Sequence, residues 1–182
     1  MNVHPHIEPE LAEWIARQKV FFVGSAPLAA DGHVNISPKG GEAFRILGPL
    51  EVAYQDYTGS GAETAAHVRE NGRIVIMFCA FEGPPKIVRL HGTATVVTPD
   101  HPEFAGLASQ FPENPGTRAL FRIAVDRVTD SCGYSVPFFD YKEPRESLNK
   151  WAVNQGAEKL IAYRAQKNVR SIDGLPAFDL PE

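Results

Sequence analysis

The stretch Tyr57-Thr58-Gly59-Ser60-Gly61-Ala62-Glu63-Thr64 leads from an apolar segment into a helical one, and its residue types are those that handle anions. Thr58, Ser60 and Thr64 carry hydroxyl donors. Glycines on both sides of Ser60 let a ligand approach the backbone. The free N–H groups and dipole at a helix start attract negative charge. A purely structural reading stands beside this one. Ser60 with Glu63 three residues later is a capping box, each side chain bonding the other's backbone N–H. The two roles are compatible, because a capping box uses only some of the four free N–H groups. Glu63 opposes an added anion, so the compensating charge must come from elsewhere. Lys39, with Ser37 in "NISPKG", is the candidate source, against a reading as a strand-ending turn with a solvated lysine.

Other chemistry is sparse. The six histidines, His4, His6, His33, His67, His91 and His101, show no metal-site spacing, and His67 is read on an exposed helix face four residues after Glu63. No Gly-x-Ser-x-Gly or Cys-His pattern marks a covalent nucleophile. Arg89 shares the polar face of its strand with His91, Thr93 and Thr95, where it reaches a ligand, a partner or an ion pair. Phe138, Phe139 and Tyr141 form an aromatic cluster near a turn, of the kind that joins a core, an interface or a cleft border.

The elements that must position these residues follow from pattern. "PELAEWIARQK" reads as a short helix. "VFFVGSAP" and "DGHVNISP" are strands joined at a hairpin signal, Asp31-Gly32. "FRIL" and "LEVAYQDY" are further strands. The helix from near Ser60 stops at Asn71-Gly72. "RIVIMFCAF" reads as a strand buried on both faces. "KIVRLHGTATVV" alternates, with Val88, Leu90, Gly92, Ala94 and Val96 on one side. "TPDHPEFAGLASQF" reads as a helix and "TRALFRIAVDRVTDS" as a long strand. From Glu143 the chain turns helical, kinked near Gly156, and ends in "RSIDGLP". Regular strands with a few helices predict a mainly β fold, a barrel carrying helices, and not alternating βαβ units. Two parts are expected: 1–142 as the barrel with its N-terminal helix, and 143–182 as a helical segment and tail that packs on the barrel or on a partner.

Composition excludes several classes. The 182 residues are 43% hydrophobic and 22% charged, the balance of a soluble globular domain, and the formal charge is -4, so no basic face draws nucleic acid or acidic lipid. The longest apolar run, Ile74 to Phe81, is too short to span a bilayer. No secretory leader is visible at the N-terminus. Cys79 lies in that apolar run and Cys132 in a turn, which predicts no disulfide framework and a cytoplasmic setting.

The order strand, Tyr57-Thr58, Gly/Ser loop, helix, "NGRIVIMF", then a strand with Gly92 resembles the pyridoxamine 5'-phosphate oxidase family of split-barrel flavoproteins. The resemblance covers about residues 19–130. It implies a homodimeric split β-barrel with FMN in clefts at the dimer interface. It places Tyr57, Thr58, Ser60 and Thr64 at the flavin phosphate, and Ser37, Lys39 and Arg89 facing the flavin. Where the family's oxidases carry a basic clamp, this chain has Ala62-Glu63-Thr64, and a flavin-binding glutamine falls at Ile87. The C-terminal pattern that reads the vitamin's phosphate is replaced by a different helix and tail. The expectation is therefore an FMN-dependent oxidoreductase on a small molecule other than pyridoxamine phosphate. The alternatives are a flavin carrier or sensor without turnover, or a deazaflavin-dependent reductase. The tail from Arg164 to Pro176, rich in donors, is expected to close over a cleft, most simply the partner's, and its loss to impair flavin binding more than stability.

Overall fold

The computed structural model describes residues 1–179. In chain order the elements are β1 (Asn2–His4), α1 (Pro9–Arg17), β2 (Val20–Ser25), β3 (Asn35–Gly40), β4 (Phe44–Gly48), β5 (Glu51–Tyr57) and α2 (Glu63–Asn71). There follow β6 (Arg73–Cys79), β7 (Ile87–Val97), α3 (Phe104–Ala108), β8 (Thr117–Ser131) and α4 (Ser147–Lys167). The strands form one antiparallel sheet in the order β3-β2-β6-β7-β8-β5-β4, with β1 added to the end of β8.

The sheet curls until its two ends face each other. Phe21 on β2 lies 5.3 Å, ring to ring, from Phe44 on β4, and Phe44 lies 5.1 Å from Phe78 on β6. The alternating inward residues Val23, Ile76, Val88, Leu90, Phe121 and Ile123 fill the space between. No ladder joins β3 to β5. Instead Lys39 Nζ crosses the gap to Asp56 Oδ1 at 2.9 Å. The result is a curled half-barrel carrying helices. Gly92 is fixed by this curvature. The β7–β8 register shifts between His91 and Gly92, and a Cβ at Gly92 would lie 2.1 Å from the Ala124 carbonyl oxygen.

Several sequence expectations change. β6 is fully buried on one face, where Ile74, Ile76 and Phe78 point inward, while on the other Val75 and Met77 stay half-exposed beside Arg89 and Cys79 at the strand's end is buried. A continuous apolar run does not distinguish the two cases, because the second face is covered only where another layer lies over it. The helix expected over "TPDHPEFAGLASQF" shrinks to α3, Phe104–Ala108, flanked by turns. β3 begins at Asn35, so Asp31-Gly32 lies within a longer connection and not in a tight hairpin. Gly72 ends α2 at φ 72°, and Gly156, at φ 70°, breaks α4. No helix among the described residues is long and apolar enough to cross a membrane.

Candidate functional site

β5 delivers Tyr57 and Thr58 to the mouth of the half-barrel, where the chain turns into α2. The expected capping box is absent. The N-cap is Ala62, with no side-chain cap bond. Glu63 Oε1 accepts instead from the Ile172 N–H at 3.3 Å, and its other carboxylate oxygen lies so close to Gly61 that a Cβ there would stand 2.5 Å away. The tail supplies the amide that the carboxylate bonds, in place of the local one. The backbone N–H groups from Ser60 to Ala65 consequently find no acceptor among the described residues. Ser60 and Gly61 are exposed.

Thr58 is not at the surface. It is fully buried, its N–H donates to the Gly116 carbonyl at 2.7 Å, and its hydroxyl donates to the same oxygen at 2.9 Å. The hydroxyl oxygen then accepts from Arg164 Nε at 2.8 Å. The hydroxyl's one hydrogen is thus spent inside the protein. Tyr57 donates to Gln55 at 3.0 Å. Thr64 and Ser37 are brought together through Asn35, whose side-chain amide donates to Thr64 Oγ1 at 2.9 Å and to Ser37 Oγ at 3.3 Å. Thr64 keeps its own hydrogen for another acceptor. Arg89 stands apart on β7, half-buried, donating to Ser131 Oγ at 3.2 Å.

Beneath the loop is a charge cluster that the sequence reading did not contain. Asp56 is buried and sits between Lys39, at 2.9 Å, and Arg118, whose Nε is 2.6 Å away. Burial pushes its carboxyl up, but Lys39 and Arg118 outweigh that and hold it below the usual range. Lys39 also lies 5.4 Å from the Tyr54 ring centre. Arg164 is half-buried and, among the described residues, bonds only neutral oxygens, Thr58 Oγ1 and the Thr117 carbonyl. Its pKa is lowered by desolvation first and then by Arg118. Two cations therefore flank one carboxylate, and Arg164 adds a third near Arg118, so the positive charges beneath the loop outnumber Asp56. Asp56 carried a signal in the sequence, a carboxylate inside an apolar strand. Arg118 did not, since its spacing suits any exposed strand, and Arg164 was legible only as one donor of the C-terminal segment.

His67 is buried, not exposed. Its Nδ1 is 3.0 Å from Ser25 Oγ, while Nε2 has no partner among the described residues. The helix is covered there by the connection after β2 and by the tail. The tail packs on its own chain: Asp173 meets His33 at 2.6 Å, Arg69 donates to the Ala177 carbonyl at 2.9 Å, and Ala177 and Phe178 are buried.

A curled antiparallel half-barrel whose mouth is a Gly/Ser loop running into a helix is the architecture of the split-barrel class. Residues 7–132 match the family described as pyridoxamine 5'-phosphate oxidase. The chain is 40% identical, over 94% of its length and 76% of the relative's, to the pyridoxamine 5'-phosphate oxidase family protein ustO of Aspergillus flavus. It belongs to the pyridoxamine 5'-phosphate oxidase family. Among solved structures it is similar to a variant of HupZ from Group A Streptococcus, 26% identical at a TM-score of 0.55 over 69% of this chain and 99% of that one. A candidate pyridoxamine 5'-phosphate oxidase from Lactobacillus delbrueckii is 17% identical, at a TM-score of 0.54 over 71% of this chain and 99% of that one, and shares the fold.

Proposed function

We propose that the protein binds FMN, with the phosphate at the loop and first turn from Tyr57 to Thr64, and works as an FMN-dependent oxidoreductase on a small molecule. The observation that carries this, within the family now assigned, is the run of unpaired N–H groups from Ser60 to Ala65 at the start of a nine-residue helix. The donor set fits a phosphate monoester. Ser60 and Thr64 belong to the amide run, Asn35 links Thr64 to Ser37, and the positive balance of Lys39, Arg118 and Arg164 over Asp56 offsets Glu63. In this reading Lys39 acts through the field it sets up and Thr58 through the loop it anchors. Arg89 serves the flavin from the half-buried face of β7. FMN supplies electron transfer through its isoalloxazine ring when bound.

Ala62-Glu63-Thr64 in place of a basic clamp and the different C-terminal segment together favour a substrate other than pyridoxamine phosphate. A homodimer belongs to the same proposal. The edge strand β3 pairs only with β2 and exposes Ile36, and Leu28 and Val34 are exposed in the connection before it.

The absorption spectrum of purified protein, followed by heat release and chromatography of the ligand, tests the cofactor. FMN is expected, and a deazaflavin or no chromophore would overturn the reading. Bleaching of bound FMN by a reductant, with return of colour only when an acceptor is added, separates an oxidoreductase from a carrier.

A further inference from the structure

The peptide between Gly59 and Ser60 shows how the loop is aimed. In a trans peptide the carbonyl and the following N–H point in opposite directions. The Gly59 carbonyl is held toward the protein by two donors, Asn168 Nδ2 at 2.8 Å and, more weakly, Arg118 Nη1 at 3.4 Å. The Ser60 N–H must therefore point outward. One residue earlier, Thr58 is riveted to Gly116 through both its N–H and its hydroxyl, and Arg164 closes that knot from α4. Arg164 and Asn168 are four residues apart, and the Asn168 N–H donates to the Arg164 carbonyl at 2.8 Å, so both come from the same final turn. Asn168 is completely buried, and its Oδ1 has no partner among the described residues. An unpaired buried acceptor is costly. A residue kept there for packing alone would not carry it.

We propose that Arg164 and Asn168 are positioning residues. They fix the backbone from Thr58 to Gly59 so that the N–H groups beginning at Ser60 face outward as a cradle for a phosphate monoester. The C-terminal segment of this chain thereby does by orientation what a basic clamp in the loop would do by charge. The inference rests on the reading of the loop as the FMN phosphate site.

The test compares FMN with riboflavin, which differ in the phosphate, on the full-length protein by flavin fluorescence quenching. The unaltered protein is expected to prefer FMN by at least tenfold. No preference would overturn the phosphate reading and this inference with it. Given that preference, Arg164→Met and Asn168→Ala are expected to reduce it at least fivefold, with riboflavin affinity within twofold. Arg164→Lys, which retains a donor for Thr58, is expected to recover part of it. Parallel loss of both flavins would show a merely structural role, and an unchanged preference would show no role. Either result sinks the inference while leaving the phosphate site standing. Asn168→Ala leaves Arg118 on the Gly59 carbonyl and decides the matter if Arg164→Met does not fold.

Discussion

Asp56 illustrates what one residue can hold. It is the only carboxylate bonded to Lys39 and Arg118 among the described contacts, and its pair with Lys39 joins β3 to β5 across the gap in the barrel. Asp56→Ala would strand two largely buried cations, at a cost of about 3–5 kcal/mol. Chemical denaturation of the variant against the unaltered chain checks this, and a loss below about 1 kcal/mol would mean that solvent already screens the cluster. Glu63 makes the opposite case. Its carboxylate leans over Gly61, on the path to the amides it leaves unpaired. Glu63→Gln keeps the hydrogen bond to Ile172 and removes the charge. FMN affinity should rise by about 0.3–1 kcal/mol, roughly two- to fivefold, the usual size of a charge effect at a helix N-terminus. Titration of both proteins with FMN reads the difference, and a fall in affinity would place the phosphate elsewhere.

At the scale of elements, α2 carries a buried titrating group. Desolvation lowers the pKa of His67, and Asp173, Glu63 and Glu70 only partly restore it. The folded state therefore binds the proton less readily than the unfolded chain. Stability from this group is present above the unfolded value near 6.5 and declines as pH falls below it, until the folded His67 also protonates. Exposed His33, whose pKa is raised by its bond to Asp173, acts in the opposite direction. Subtracting the stability profile of His67→Gln from that of the unaltered chain isolates the slope, which reaches at most about 1.4 kcal/mol per pH unit. A difference profile that is flat between pH 5 and 6.5 would show that solvent already reaches the ring.

The tail is the second such element, and its packing gives it a part in stability beside the cleft role expected from sequence. Residues after Val169 bury Ala177 and Phe178 in the main core and pair with α2. Burial of one phenylalanine alone contributes roughly 1.5–3 kcal/mol. Truncation after Val169 should cost about 3 kcal/mol, a fall of roughly 6–12 °C in Tm for a chain of this size. Calorimetry measures it, and an unchanged Tm would mean that the tail is dispensable packing. Any loss of flavin binding in such a truncation then includes a stability component, which is why point substitutions at Arg164 and Asn168 are the sharper probe of the loop.

The whole molecule presents more apolar surface than its barrel needs. Leu28, Val34 and Ile36 lie around the open edge of β3, and Tyr134, Phe138 and Phe139 stand exposed after β8, where Phe81 meets Phe139 edge to face. A second copy covering such surface is the expected form in solution. Sedimentation at micromolar concentration should give a dimer, and Ile36→Asp should shift it toward monomer. A monomer under those conditions would return these residues to ordinary surface scatter.

Local pattern was enough to indicate the strands from β2 to β8 but not the short β1, together with the stop of α2 at Gly72, the break at Gly156 and the Gly/Ser loop between a strand and a helix. Alternation, glycine conformation and turn chemistry act over a few residues, so they are written where they are used. Tertiary structure alone decided the rest. It moved Glu63 from a cap to the tail's amide at Ile172, buried His67, and left β6 covered on one face. It assembled Asp56 with Lys39 and Arg118 from three strands, and set Arg164 and Asn168 against a loop more than a hundred residues away. The physical reason is one of range. A hydrogen-bond donor or a charge in a sequence has no partner until folding supplies one, and burial chooses among partners that no spacing along the chain encodes.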